Sequence, residues 1–200
     1  MYIKVCGLSR PEDVAAAVEA GADAIGFVLT PSPRQVTPAS VRALTALVPE
    51  GTATVAVFRG EPLDEVRRAA AEAGVDTVQL HGGEPPEAFA AIRADGFRLI
   101  RATSPAAGGA PLETGAYGED LLIIDSPRPG SGERWDPAAL GVSPTGPWLL
   151  AGGLSPDNVA GAVTGLRPWG VDVSSGVERT RGVKDTGLIR EFVAAARAAA

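Results

Sequence analysis

Two hundred residues suffice for one domain with a substantial core. Eighteen basic against 24 acidic residues give a net charge of −6 with no long run of one sign, which argues against broad nucleic-acid binding. One Cys and one His leave no intramolecular disulfide and no Cys/His zinc site, and no apolar run reaches a membrane span.

The N-terminal Met1-Tyr2-Ile3-Lys4-Val5-Cys6 starts as a strand and lacks the layout of a signal peptide, so the expected location is cytoplasmic. Tyr2–Cys6 is the first strand. Pro11–Ala20 reads as a helix, with Pro at its start and Gly21 past its end. Asp23–Leu29 is the second strand, and Thr37 caps a helix that runs to about Val48. Ala53–Phe58 is strand, Pro62–Ala73 helix, and Gly74 its C-cap. Asp76–His81 is strand, Pro86–Ala94 helix, Gly96 its cap, and Phe97–Arg101 strand. Thr103–Tyr117 is poorly periodic and reads as a loop with at most one short helix. Leu121–Asp125 is a strongly apolar strand, followed by the loop Ser126–Trp135 and a short helix near Pro137–Leu140. Trp148–Ala151 is strand, and Ser155-Pro156 opens a helix to about Val163. Gly170–Val173 is the eighth strand, and Asp185–Ala199 the last helix.

Eight strands, each followed by a helix or a helix-sized segment, predict a parallel sheet in a single domain over residues 1–200. Two architectures compete: a (β/α)₈ barrel and a doubly wound open sheet. Side-chain alternation discriminates between them. Lys4 and Cys6 share one strand face, as do Gln79 and His81, and Asp172 and Ser174. Asp125 lies opposite Leu122 and Ile124. The polar sets bunch at strand C-terminal ends. An open sheet would bury them one by one, whereas a barrel collects them at its top, where such barrels carry active sites.

Several of these residues have both a chemical and a structural reading. The turns Gly152-Gly153-Leu154 and Ser174-Ser175-Gly176 follow the seventh and eighth strands, where backbone N–H groups can hold a phosphate; glycines there also simply permit tight turns. Cys6 is a small buried hydrophobe or a base or nucleophile whose thiolate the Lys4 ammonium favours. Asp125 is a loop-capping carboxylate or, if burial raises its pKa, a general acid. Arg34 is an ordinary exposed Arg or a two-point carboxylate clamp. His81 is a proton shuttle or a hydrogen-bonded spacer. No G-x-S-x-G elbow supports a serine hydrolase, and no G-x-G-x-x-G follows the first strand.

The ordered set Lys4-Val5-Cys6-Gly7-Leu8 with Pro11-Glu12-Asp13, Gly26-Phe27-Val28, Ser32-Pro33-Arg34, Gln79-Leu80-His81-Gly82, Asp125 with Gly130-Ser131-Gly132, Ala151-Gly152-Gly153-Leu154, Asp172-Val173-Ser174-Ser175-Gly176-Val177-Glu178 and Gly182-Val183-Lys184-Asp185 resembles the phosphoribosylanthranilate isomerases of tryptophan biosynthesis. The resemblance spans the chain in order and implies the barrel fold and an Amadori rearrangement. It implies Asp125 as the acid that opens the ribose ring and Cys6 as the base at C2. Arg34 would hold the anthranilate carboxylate, and Gly153 with Ser175-Gly176 the phosphate. His81, Asp172 and Ser174 would line the pocket. No metal or organic cofactor is implied. The partner is a small phosphosugar, with no nucleic acid and no membrane, for a monomer or homodimer. The related histidine-pathway isomerase is an internally repeated half-barrel with two catalytic Asp residues; no such repeat is visible here. A ribulose-phosphate epimerase needs several metal-binding His residues. A barrel that binds phosphosugars without turnover is the non-enzymatic alternative.

Overall fold

Alternation along the strands divides the apolar residues into two sets, and the sets build two cores. Cys6, Ala24, Val28, Val55, Val57, Ile100, Ala102, Ile123 and Leu149 pack together inside a closed ring. Ile3, Val5, Phe27, Phe58, Leu80, Leu122, Ile124 and Val171 face outward and pack with helix residues such as Val14, Val41, Phe89 and Phe192. A computed structural model describes residues 1–104, 110–126 and 144–200. Its eight parallel strands close in sequence order: β1 (Tyr2–Cys6), β2 (Ala24–Val28), β3 (Ala53–Phe58), β4 (Thr77–Leu80), β5 (Arg98–Thr103), β6 (Leu121–Ile124), β7 (Trp148–Leu150) and β8 (Gly170–Val173). β1 pairs with both β2 and β8, which removes the open-sheet alternative.

The helices α1 (Pro11–Glu19), α2 (Pro38–Thr45), α3 (Leu63–Ala73), α4 (Pro86–Ala94), α5 (Val159–Leu166) and α6 (Thr186–Ala198) start and stop where local chemistry requires. Thr37 accepts a hydrogen bond from the Ser40 N–H at the start of α2. Gly74 ends α3 at φ 68°, a left-handed conformation that needs no Cβ. Asp185 caps α6 by accepting from the N–H groups of Gly187 and Leu188. None of the described helices is long and apolar enough to cross a membrane.

Three expectations change. α2 ends at Thr45, short of Val48. α5 begins at Val159, not at Ser155-Pro156. There the Asn158 side chain accepts from the Ser155 N–H and donates to the Gly153 carbonyl, which holds 153–158 as a turn. A short antiparallel ribbon, β9 (Glu178–Thr180) and β10 (Val183–Lys184), intervenes between β8 and α6. The described part of 103–117 is a loop without a helix, in keeping with the expected loop of at most one short helix. Outward-facing Arg101 anchors it, donating to Glu119 at 2.7 Å and to the carbonyls of Pro111 and Glu113 beneath the Tyr117 ring. The segment Gly130-Ser131-Gly132 and the helix expected near Pro137–Leu140 lie outside the described residues.

Candidate active site

β1 carries two polar side chains into the barrel, Lys4 and, one pleat higher, Cys6. Lys4 is fully buried, and its Nζ lies 3.0 Å from Asp172 Oδ1 on the neighbouring β8. Burial alone would lower the lysine pKa; the Asp172 carboxylate and Cys6 outweigh it and carry it above its ordinary value. Gly26 sits beside Cys6 in the β1–β2 register, and a Cβ there would come within 2.8 Å of Cys6 Sγ. The position is glycine because the sulfur fills that space. Burial pushes the Cys6 thiol up and Asp172 adds to this, against the opposing pull of Lys4 and Lys184. Lys4 acts in the foreseen direction, but desolvation wins and the resting form is the thiol.

Asp125 follows β6 and is 8% exposed. Its Oδ1 accepts from the Ser126 N–H at 2.7 Å. Burial raises its pKa to about 6, with Asp172 adding, even though the Ser126 bond lowers it. Capping and proton retention thus coexist in one side chain. His81 follows β4, and its Nε2 lies 3.7 Å from Asp125 Oδ2, too far for a hydrogen bond. Burial, then the charges of Arg59 and Lys4, lower the His81 pKa to about 4. At neutral pH the imidazole is uncharged, so the pair is no salt bridge.

Arg34 is 9% exposed and not the free surface residue of its bland reading. Its Nε and Nη2 already grip both oxygens of Glu178, at 2.6 and 3.0 Å. The two-point clamp foreseen for a ligand carboxylate is formed, but on an internal carboxylate. Glu178 Oε1 also accepts from Lys184 Nζ at 3.0 Å, and Lys184 donates to the Ser174 carbonyl at 2.8 Å and faces its hydroxyl at 3.3 Å. Burial raises the Glu178 pKa, but Arg34, Lys184 and the Gly182 N–H bring it down to about 2. This network crowds onto the residue after Cys6. A Cβ on Gly7, which stands at φ +77°, would lie 2.8 Å from Arg34 Cδ and 3.5 Å from Lys184 Nζ.

The two Gly-rich turns meet at the mouth. A Cβ on Gly176 would fall 1.8 Å from the Leu154 carbonyl oxygen, so the turns touch backbone to backbone. Gly152 and Gly153 have φ of 88° and 67°. The N–H groups of Gly153, Ser175 and Gly176 donate to no acceptor among the described residues. Ser175 and Gly176 begin a 3₁₀ turn, Ser175–Val177.

The structure thus brings Cys6, His81, Asp125, Asp172 and Ser174 to one barrel end, with Arg34 and the two turns around it. The roles of Glu178 and Lys184 are additions. Both residues stand in the motifs quoted above, but a β9–β10 ribbon that folds back against the loop after β2 leaves no periodic signal.

Comparison with known proteins is decisive. The family model described as N-(5'phosphoribosyl)anthranilate (PRA) isomerase matches residues 3–195. The chain belongs to the phosphoribosylanthranilate isomerase family. It is 44% identical to the N-(5'-phosphoribosyl)anthranilate isomerase of Symbiobacterium thermophilum, with all of both chains covered. The crystal structure of TrpF from Jonesia denitrificans superposes with TM-score 0.90 at 51% identity, covering 100% of this chain and 98% of that one. A phosphoribosylanthranilate isomerase in complex with reduced 1-(o-carboxyphenylamino)-1-deoxyribulose 5-phosphate superposes with TM-score 0.82 at 32% identity, covering 99% of each. The chain is accordingly an isomerase of tryptophan biosynthesis on a (β/α)₈ barrel. In the phosphoribosylanthranilate isomerase frame, Cys6, His81 and Asp125 stand at or just past strand C-terminal ends, with Lys4 one pleat deeper in β1.

Proposed function

We propose that the barrel converts N-(5-phosphoribosyl)anthranilate to 1-(2-carboxyphenylamino)-1-deoxyribulose 5-phosphate, with Asp125 as general acid and Cys6 as general base. One observation carries the assignment of roles. A carboxyl group whose pKa burial raises to about 6 follows β6, and a thiol flanked by two ammonium groups ends β1 of the same barrel. Asp125 protonates the ribose ring oxygen, and the ring opens to a Schiff base. Cys6 removes the C2 proton, and the resulting enolamine tautomerises to the ketone. The Lys4 and Lys184 charges favour the thiolate when the proton leaves. Asp172 keeps Lys4 in place, and neutral His81 lines the wall beside Asp125. The test mixes purified protein with freshly made substrate and follows the anthranilate-type fluorescence. Turnover no faster than the uncatalysed rate would overturn the proposal.

Arg34 is assigned to the anthranilate carboxylate. Glu178 holds the Nε and Nη2 edge, so the ligand meets the guanidinium from its remaining side or displaces Glu178 onto Lys184. Arg34→Met then acts mainly on KM, raising it by about 10- to 100-fold, since a charged hydrogen bond is worth roughly 1.5–3 kcal/mol. Steady-state kinetics on both enzymes check this; a change confined to kcat would count against the clamp.

The phosphate is assigned to Gly153, Ser175 and Gly176. Backbone donors exist before any ligand arrives, so inorganic phosphate should inhibit competitively. In Gly176→Ala the new methyl pushes the Leu154 carbonyl away and parts the two turns. The inhibition constant for phosphate should rise about tenfold or more, and equal inhibition of both enzymes would remove phosphate from this place.

A further inference from the structure

Most side chains that β3, β5, β6 and β7 send into the barrel are apolar: Val55, Val57, Ile100, Ile123, Leu149. β4 departs from this pattern. Gln79 points inward one pleat deeper than His81 and is only 2% exposed. Its Oε1 is buried and meets no hydrogen-bond partner among the described residues, and neither does His81 Nε2. The rest of the Gln79 side chain also makes no hydrogen bond there. A buried amide that served the fold would be paired, because leaving such a group unpaired is unfavourable. Two unpaired polar atoms thus stand on one strand face, two residues apart, inside the barrel. The β4 face looks toward the reacting groups, since His81 Nε2 lies 3.7 Å from Asp125 Oδ2.

We propose that Gln79 is a substrate-contacting residue whose Oε1 accepts a hydrogen bond from the sugar hydroxyl at or beside C2, turning the C2–H bond toward Cys6. This rests on the isomerase reading above. An amide oxygen suits the task because it accepts a hydrogen bond at every working pH and does not compete with Cys6 for the proton.

The test is Gln79→Met, which keeps length and volume, removes the amide and resembles the apolar side chains on neighbouring strands. Because Gln79 bonds to no group among the described residues, Tm should be unchanged or higher, and competitive inhibition by inorganic phosphate should keep its strength. kcat/KM should fall about tenfold or more, and the reduced product analogue should stabilise the variant less than the wild type. The wild-type assay run alongside separates this claim from the parent reading: without wild-type turnover the isomerase assignment fails first. With wild-type turnover, a variant within about twofold in kcat/KM overturns the contact. A variant that loses Tm or fails to fold overturns it as well, because Gln79 would then serve the barrel itself.

Discussion

Asp125→Asn lowers kcat by a factor on the order of 10² or more while the substrate still binds. Asn fills the same volume and can accept the Ser126 N–H bond that Asp125 Oδ1 accepts now, so the β6 terminus keeps its shape. It has no proton to give to the ring oxygen, and ring opening becomes the slow step. Phosphate and carboxylate contacts are assigned to other loops, so KM should move little. The pH profile separates this role from a structural one. The resting order of the two ionisations is opposite to the working order. Asp125 titrates at about 6, and Cys6 lies above the ordinary thiol range, yet turnover needs Asp125 protonated and Cys6 ionised. Between the two values the enzyme carries one proton, and only the minor arrangement of that proton is productive. Wild-type kcat/KM should therefore be bell-shaped. Its low-pH limb falls at about 6, where the doubly protonated form takes over, and its high-pH limb belongs to the thiol. In Asp125→Asn the break at about 6 disappears, and the residual rate climbs with pH until Cys6 is ionised. A variant with wild-type turnover and both limbs intact would move the acid role to Asp172 or His81.

The barrel and the placement of its polar groups were legible because both depend on a period of two. Lys4 with Cys6, and Asp172 with Ser174, could be assigned to the interior without knowing any contact. Asp125 was legible for the same reason, because the apolar run before it implied the burial that raises its pKa. Long-range pairs were not legible. Nothing near Arg34 indicates that a carboxylate 144 positions away would take its Nε and Nη2. The Arg101–Glu119 pair, which anchors the loop over the outside of β5, is hidden in the same way. The net direction of the Cys6 shift was out of reach for a different reason. Spacing revealed the neighbouring ammonium but not the extent of desolvation, and the balance of those two terms sets the sign. The late start of α5 is local chemistry, since Asn158 competes for the turn that Ser155-Pro156 suggests.

Cys6→Ser tests the other half of the proton transfer. The hydroxyl is smaller than the thiol and fits the space that Gly26 leaves, so folding and substrate binding should survive. A serine hydroxyl is far less acidic than a thiol, and Lys4 and Lys184 cannot make it a base near neutral pH. kcat should fall by roughly 10²–10⁴-fold, with a much smaller change in KM. A direct measurement on the wild type supports the kinetics. The rate of iodoacetamide alkylation follows the thiolate, so its pH dependence reports the Cys6 pKa in the free enzyme. The midpoint should lie above the ordinary thiol value of about 8.5, because burial and Asp172 outweigh the two ammonium groups. Bound product analogue should protect Cys6 from alkylation, and Cys6→Ser should show no reaction, since Cys6 is the only cysteine. The high-pH limb of wild-type kcat/KM should coincide with the alkylation midpoint. If the serine variant keeps wild-type kcat, or if the limb and the midpoint do not coincide, Cys6 is not the base.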